Sequence, residues 1–272
     1  MNILSQTVPL QFDTGFSPFR AEEFDGALAF LEKTGFTGVE LAIARPNEVD
    51  ADALLQKLRA RHLTATTLST GQAYAIDGLC LSSFDAGVRK AAAAAVKAHV
   101  ELSAKIGGPP VTVGLLRGKL EQGEKAKLLD NLREALIPCI AHAREYGVTL
   151  QIEPICGAET VLLNTVRETL DFLETLGDSG NAGILYDTYH SYLEDGDMAA
   201  AIRAAGGRIT NVHLADSHRG LPGYGNIDFG AVVCALNAVG YSGAYALETL
   251  VTPDREFINA HCYESIAKIL SV

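Results

Sequence analysis

The sequence predicts an α/β protein built as one (β/α)₈ barrel that spans residues 1–272. Short apolar runs alternate with helix-like stretches along the whole chain, which is typical of parallel strands joined by crossover helices. The runs show little of the polar alternation of a half-exposed strand, so both faces of each strand are expected to be buried. The length of 272 residues also matches the ~250 residues of such a barrel. A doubly wound open sheet is the structural alternative.

The first half of the chain supplies four strands. They are predicted over residues 3–10, 38–43, 62–68 and 111–115. Helices are predicted over residues 21–34, 50–61 and 86–106. An alanine run favours the third helix, and Gly108-Pro109-Pro110 breaks it ahead of the fourth strand. Residues 69–83 are predicted to form a long loop at the mouth of the barrel, where long loops often bind substrate.

The second half of the chain continues the same pattern. A helix over residues 124–146 ends at Gly147 and leads into the fifth strand. The last four strands are predicted over residues 149–152, 182–186, 209–212 and 244–247. A final helix is predicted over residues 254–270. Eight strands in one chain, with no linker-like break between them, favour one barrel over separate domains.

Composition and charge exclude several classes of protein. Apolar residues make up 48% of the chain and charged residues 20%, which suits a packed core and not a disordered chain. The net charge of −11 argues against a nucleic acid partner, since such proteins usually carry a basic face. No run approaches the ~20 apolar residues of a membrane span, so no membrane association is expected. The first residues lack the pattern of a secretion signal, and a cytoplasmic location is therefore expected.

Four strand ends carry side chains that can bind a metal ion. Glu153, Asp187, His213 and Glu248 follow the fifth to eighth apolar runs, one after each. In a closed barrel these ends converge on one mouth, where the four side chains could share an ion. A lone carboxylate at a strand end is more often a helix cap, and a lone histidine is more often structural. Four at equivalent ends favour one divalent ion, with Mn²⁺ ahead of Mg²⁺ or Co²⁺.

Polar residues near the same strand ends are candidates for substrate contacts. The candidates are Gln72, Arg117, Glu159, His190 and Arg219. Gln72 belongs to the predicted loop over residues 69–83, and His190 lies three residues beyond Asp187. Arg117 and Arg219 could each hold a carboxylate, but the same arginines could hold a hydroxyl or a phosphate. The residues therefore leave the charge of the substrate open.

Two neighbouring segments resemble a known family. They are Val212-His213-Leu214-Ala215-Asp216-Ser217 and Pro222-Gly223-x-Gly225-x-Ile227-Asp228. Together they resemble the seventh-strand signature of the sugar isomerase/epimerase superfamily, whose members share a xylose-isomerase-like TIM barrel. Residues 39–42, 69–79 and 114–118 agree with it in order and spacing. Within the superfamily the chain is most similar to the ketose 3-epimerases (the D-tagatose and D-psicose 3-epimerase group) and to the 5-keto-L-gluconate epimerase type.

This resemblance implies metal ligation by the four strand-end residues and a small sugar or sugar acid as substrate. It implies substrate contacts for Glu159, His190 and Arg219, which fall at the spacing of the family's contacting residues. We expect Glu153 and Glu248 to alternate as base and acid, moving a proton at the carbon beside a carbonyl through an ene-diolate. Residues 154–158 depart from the family, because they lack its usual Asn-Arg pair. That departure concerns the identity of the substrate more than the class of reaction.

Several other functions are compatible with this pattern. An aldose–ketose isomerase of the hydroxypyruvate type, or a dehydratase of a cyclic polyol, would use the same fold and ion. An endonuclease-IV-like enzyme is disfavoured, because it would need further metal ligands on the early strands and a basic face, and the sequence offers neither. A sugar-binding protein is disfavoured as well, because it would not need paired carboxylates around an ion. Barrels of this size often form dimers or tetramers, so a homo-oligomer is an open alternative to a monomer.

Overall fold

Eight parallel strands form a closed barrel in the computed structural model, which describes residues 2–119, 123–177 and 179–271. The strands are β1 (Ile3–Pro9), β2 (Gly38–Ala42), β3 (Thr64–Ser69), β4 (Val111–Val113), β5 (Leu150–Ile152), β6 (Ala182–Asp187), β7 (Ile209–Leu214) and β8 (Ala244–Leu247). Each strand pairs in parallel with the next one along the chain, and β8 pairs with β1. The predicted barrel is therefore confirmed, and the alternative of an open sheet is wrong.

Helices connect successive strands and pack around the barrel. Within the described residues they are α1 (Phe24–Thr34), α2 (Ala51–Ala60), α3 (Gly71–Asp77), α4 (Ala86–Lys105), α5 (Lys125–Glu145), α6 (Val166–Glu174), α7 (Thr188–Glu194), α8 (Met198–Ala205), α9 (Phe229–Ala238) and α10 (Arg255–Leu270). Many start at a side-chain cap; Asp50, Asp85, Asp228 and Asp254 each accept a hydrogen bond from a backbone N–H in the first turn. None of these helices is both long enough and apolar enough to cross a membrane.

Residues 69–83 differ from the prediction of a long loop, because they contain α3. A helix of two turns is too short to show a helical period in the sequence. Contacts with other parts of the chain hold it instead. The Thr70 hydroxyl donates to the carbonyl of Thr112 at 2.7 Å, and Arg45 pairs with Asp77 at 2.8 Å. These contacts fix the position of α3 at the mouth of the barrel.

The interior of the barrel is polar just below its mouth. Gln151 of β5 donates to Thr67 of β3 at 2.9 Å and to Thr112 of β4 at 2.8 Å. Its side-chain oxygen accepts a hydrogen bond from Thr210 of β7 at 2.6 Å. Because residues two apart on a strand share a face, Glu153 follows Gln151 on the inner side of the barrel. This network ties four strands together directly beneath the residues at the mouth.

Candidate active site and metal centre

Four side chains meet at the C-terminal mouth of the barrel. They are Glu153 after β5, Asp187 at the end of β6, His213 in β7 and Glu248 after β8. One donor atom from each lies within 4.8 Å of the other three. His213 Nδ1 lies 3.6 Å from Glu153 Oε1, 3.5 Å from Asp187 Oδ2 and 3.4 Å from Glu248 Oε2. The structure thus brings all four predicted ligands together, and we call them the quartet.

The donor atoms of the quartet fit a divalent metal ion. Asp187 Oδ2 and His213 Nδ1 are buried and have no hydrogen-bond partner among the described residues. Arg219 Nη2 lies 3.2 Å from Asp187 Oδ2 but forms no hydrogen bond with it. A buried polar atom without a hydrogen bond is unfavourable, and a shared cation would satisfy both Asp187 Oδ2 and His213 Nδ1. Three carboxylates and one imidazole form an oxygen-rich set, which suits a hard ion better than a thiolate site would.

Glu40 of β2 fixes the orientation of His213. The Nε2 atom of His213 donates to Glu40 Oε2 at 2.7 Å, and both side chains are buried. Because Glu40 holds Nε2, Nδ1 is the ring nitrogen directed toward the carboxylates of the quartet, and its lone pair is free to bind an ion when the ring is neutral. No role for Glu40 was predicted from the sequence. The feature that could have indicated a role is that Glu40 is an acidic side chain inside an otherwise apolar strand.

The two carboxylates expected to exchange protons differ in their surroundings. Burial raises the pKa of Glu153 to about 7, and the nearby charges of Glu248 and Asp187 add to the effect. Burial also opposes ionisation of Glu248, but the charges of His213 and Arg219 hold its pKa below its usual value. Two neighbouring carboxyl groups with separated pKa values can act as an acid and a base near neutral pH.

Two residues after β4 position Glu153 from behind. Gly114 leaves it room, since a Cβ atom at Gly114 would lie 2.8 Å from Glu153 Oε2. Arg117 Nη1 donates to the backbone carbonyl of Glu153, and Nη2 donates to that of Leu163 at 3.5 Å. The Arg117 side chain is fully buried behind the wall of the site. We therefore assign Arg117 a positioning role in place of the predicted contact with substrate.

Arg219 lies beside the quartet and is held by ion pairs and aromatic rings. Its Nη2 atom pairs with Glu248 Oε2 and lies 3.2 Å from Asp187 Oδ2. The guanidinium carbon lies 5.1 Å from the centre of the Phe16 ring and 4.9 Å from that of Tyr189. Ion pairs and cation–π contacts together place a cation at the edge of the site.

The loop between β7 and α9, which carries Arg219, is organised around Asp216. The Asp216 carboxylate accepts hydrogen bonds, at 2.7, 2.8, 2.8 and 3.2 Å, from the backbone N–H groups of Ser217, Gly223, Gly225 and Ile227. A Cβ atom at Gly225 would collide with this carboxylate, so the close approach requires glycine there. Arg219 itself has a φ of +62°, which the surrounding loop must enforce.

A second polar cluster lies next to the quartet. It consists of Cys156, Glu159 and His190, whose donor atoms lie within 4.8 Å of one another. His190 Nδ1 accepts a hydrogen bond from the backbone N–H of Cys156 at 3.2 Å, and its Nε2 lies 2.9 Å from Arg219 Nη1. Burial lowers the pKa of His190 to about 3. The ring is therefore neutral at neutral pH, so it can hydrogen-bond a sugar oxygen without adding charge.

A cavity of about 300 Å³ opens above the quartet, a size at the lower end of small-molecule sites. Its wall contains the side chains of four predicted substrate contacts, Gln72, Glu159, His190 and Arg219. Glu153, His213 and Glu248 reach it as well. Four of the five predicted substrate contacts thus face one cavity, and Arg117 lies behind it.

Comparison with known proteins identifies the family. A model of the xylose isomerase-like TIM barrel family matches residues 28–262. The chain belongs to this family. An L-ribulose 3-epimerase from Mesorhizobium japonicum is 34% identical over 238 residues, which cover 84% of this chain and 75% of that protein. A ketose 3-epimerase from Arthrobacter globiformis is 31% identical over 243 residues, which cover 87% of this chain and 82% of that protein.

Solved structures agree with membership of the xylose isomerase-like TIM barrel family. The structure of an L-ribulose 3-epimerase matches this one with a TM-score of 0.84 at 27% identity, covering 100% of this chain and 95% of that chain. The resemblance inferred from the sequence motifs is therefore confirmed. This member of the xylose isomerase-like TIM barrel family is an enzyme of the carbohydrate epimerase and isomerase kind.

Proposed function

We propose that this enzyme is a divalent-metal-dependent epimerase of a ketose or a related keto sugar. It would move a proton at the carbon beside the carbonyl through an ene-diolate. The observation that carries the proposal is the placement of Glu153 and Glu248, which reach the same cluster of donor atoms from β5 and from β8. The epimerase names of the two relatives support the same reaction class.

The quartet would hold the metal ion, and Mn²⁺ is the ion that we propose. When bound, a divalent ion supplies positive charge that stabilises the oxygen atoms of the enolised sugar. Glu40 contributes by keeping the lone pair of His213 Nδ1 available. Gly114 and Arg117 contribute by positioning Glu153 from the side of β4.

Glu153 and Glu248 would carry out the two proton transfers. One ionised carboxylate removes the proton, and the C–H electron pair forms a carbon–carbon double bond while the carbonyl oxygen becomes an oxyanion. The other, protonated carboxyl group then returns a proton to the opposite face of the same carbon, which restores the carbonyl with inverted configuration. Each turnover leaves the pair with its protonation reversed, so each group acts as the base in one direction of the reaction and as the acid in the other.

Three residues of the cavity wall would orient the sugar. Neutral His190 can hydrogen-bond a hydroxyl or carbonyl oxygen, and Glu159 can accept a hydrogen bond from a hydroxyl. Arg219 donates to oxygen atoms, and its ion pair with Glu248 also favours the ionised form of that carboxylate. Together they would hold the reacting carbon between Glu153 and Glu248.

The charges of the cavity favour an uncharged sugar over a sugar acid or a sugar phosphate. Among the described residues of its wall, Arg219 is the only lysine or arginine, and it already pairs with Asp187 and Glu248. The same wall carries Asp13 and Glu159. A carboxylate or phosphate would therefore meet an excess of negative charge, unlike a free ketose.

A turnover screen with Mn²⁺ in deuterated water tests this function. Free ketoses, keto-aldonates and ketose phosphates are incubated with the enzyme, and the products are examined by NMR. The proposal predicts deuterium at the carbon beside the carbonyl, with inverted configuration, for an uncharged ketose. Deuterium with a shifted carbonyl would show an isomerase instead, and loss of water would show a dehydratase. No exchange on any sugar by the Mn²⁺-loaded enzyme would contradict proton transfer altogether.

A further inference from the structure

Gln72 lies on the cavity wall across the barrel from the metal centre. It is in the first turn of α3, which follows β3 directly. In a closed ring of eight strands, β3 lies four strands from β7, the strand that carries His213. Gln72 is a buried residue, 8% exposed, and it forms part of the cavity wall.

The amide of Gln72 can take only one orientation. Its Nε2 donates a hydrogen bond to the backbone carbonyl of Phe12. A reversed amide would place two oxygen atoms against each other, so the nitrogen must occupy this position. The remaining atom, Oε1, is buried and has no hydrogen-bond partner within the part of the chain that the structure describes. Gln72 therefore presents an unsatisfied acceptor, and a buried acceptor of this kind is unfavourable until a donor arrives.

The segment that carries Gln72 is held in place before any substrate binds. Thr70 donates to the carbonyl of Thr112 at 2.7 Å on one side of it. On the other side, Asp77 at the end of α3 accepts hydrogen bonds from Arg45, the shortest at 2.8 Å. Because one end is tied to β4 and the other to the loop after β2, the position of Oε1 is preorganised, which is a requirement of a group that selects between ligands.

We propose that Gln72 Oε1 accepts a hydrogen bond from a sugar hydroxyl remote from the reacting carbons and thereby determines substrate specificity. The inference rests on the proposed epimerase function and names the chemistry of its distal contact. A hydroxyl offers the proton that Oε1 needs, whereas a deoxy carbon, an ether, a carboxylate or a phosphate offers none. A sugar that lacks the hydroxyl leaves the acceptor unpaired and is rejected for that reason.

Deoxy sugars test this assignment. The accepted ketose and its mono-deoxy analogues are compared by kcat/KM with the wild-type enzyme and with Gln72→Leu, which has no side-chain acceptor. We expect the wild type to favour the parent over one analogue by at least ~10-fold, through a hydrogen bond that the analogue cannot make. Gln72→Leu should lower kcat/KM for the parent sugar only. The ratio of kcat/KM for the parent to kcat/KM for that analogue should therefore fall close to one.

A control variant distinguishes loss of the Gln72 acceptor from loosening of helix α3. Asp77→Asn weakens the contact between α3 and Arg45 but leaves the Gln72 acceptor in place, so it should keep most of the preference for the parent sugar that Gln72→Leu abolishes. If Gln72→Leu lowers kcat/KM equally for the parent and for every analogue, Gln72 is structural and the assignment is overturned. Calorimetric binding of the same sugars gives a readout without turnover. If the protein shows no epimerase activity but binds the parent sugar more tightly than the analogue, and Gln72→Leu removes that difference, the proposed reaction is overturned and the contact of Gln72 is supported.

Discussion

At the scale of single residues, the proposed metal centre relies on a side chain that would contribute no ligand atom. Glu40 accepts the Nε2 proton of His213 at 2.7 Å inside the barrel. A glutamine at this position can still accept the hydrogen bond from Nε2, but it lacks the negative charge of Glu40. That charge increases the basicity of the imidazole, and thereby the strength with which Nδ1 binds a metal ion. Replacing such a partner typically costs 10–100-fold in metal affinity, so we expect Glu40→Gln to weaken Mn²⁺ binding by about 10-fold or more.

Calorimetric titration of the purified protein with Mn²⁺ measures this effect directly. Glu174→Gln is the matched control, because Glu174 is an exposed carboxylate at the end of α6. It makes the same chemical change away from the site, and its affinity should equal that of the wild type. Unchanged Mn²⁺ affinity in Glu40→Gln would show that the contact with His213 does not support metal binding.

At the scale of elements, the loop between β7 and α9 depends on one carboxylate. Asp216 accepts four backbone hydrogen bonds in that loop. An asparagine there keeps one acceptor oxygen and places an NH₂ group against backbone donors. We expect Asp216→Asn to lower the free energy of unfolding by about 1–3 kcal/mol. We also expect kcat itself to fall, in addition to any rise in KM, because Arg219 loses its fixed position.

Urea unfolding and steady-state kinetics of the same Asp216→Asn sample check both expectations. Asp228→Asn serves as the control, since it retains an N-cap for α9 in the same loop. A variant with wild-type kinetics and reduced stability would mean that the loop holds itself together without positioning Arg219.

Helix α4 is joined to the barrel through a buried histidine. His99 Nε2 lies 3.0 Å from the carbonyl of Ile43, which follows β2, and Nδ1 lies 2.8 Å from that of Ala95. Burial lowers the pKa of His99. Below a pH of about 6.5, His99 binds a proton in the unfolded chain but not in the folded protein. The free energy of unfolding therefore falls by up to about 1.4 kcal/mol for each unit by which the pH is lowered.

Unfolding of the wild type and of His99→Gln at about pH 7.5 and about pH 5.5 tests this linkage on either side of the ordinary histidine pKa. The stability lost between the two pH values should be smaller in His99→Gln. An exposed histidine, His62, gives the control as His62→Asn. Equal losses in the wild type and in His99→Gln would show that His99 does not contribute to the acid sensitivity.

Most of the strands and longer helices could be predicted from local sequence, whereas helix α3 could not. β8 was predicted over residues 244–247 and occupies Ala244–Leu247, because an apolar run between turns determines it locally. Helix α3 was missed, because contacts of Thr70 with Thr112 and of Asp77 with Arg45 hold it. Those partners are distant in sequence, so no short pattern within residues 69–83 could indicate the helix.

At the scale of the whole molecule, barrel closure turns four separate strand ends into one site. The spacing along the chain was enough to predict the quartet, since parallel strands in a ring must end at one mouth. Side-chain direction was not predictable in the same way. Glu40 contacts His213 across 173 residues, and Arg117 turns behind the wall to backbone carbonyls. Only the packed barrel determines which polar side chains face the cavity and which support it.

The central claim, that Glu153 and Glu248 act on opposite faces of one carbon, is tested most directly by Glu248→Gln in deuterated water with saturating Mn²⁺. The loss of one proton-transfer group predicts a fall of at least ~10³-fold in epimerisation. Glu153 can still remove and return a proton on its own face, so one epimer should exchange with solvent without inversion. Bound Mn²⁺ and an unchanged fold would be verified on the same sample. Epimerisation at a near wild-type rate would contradict the account.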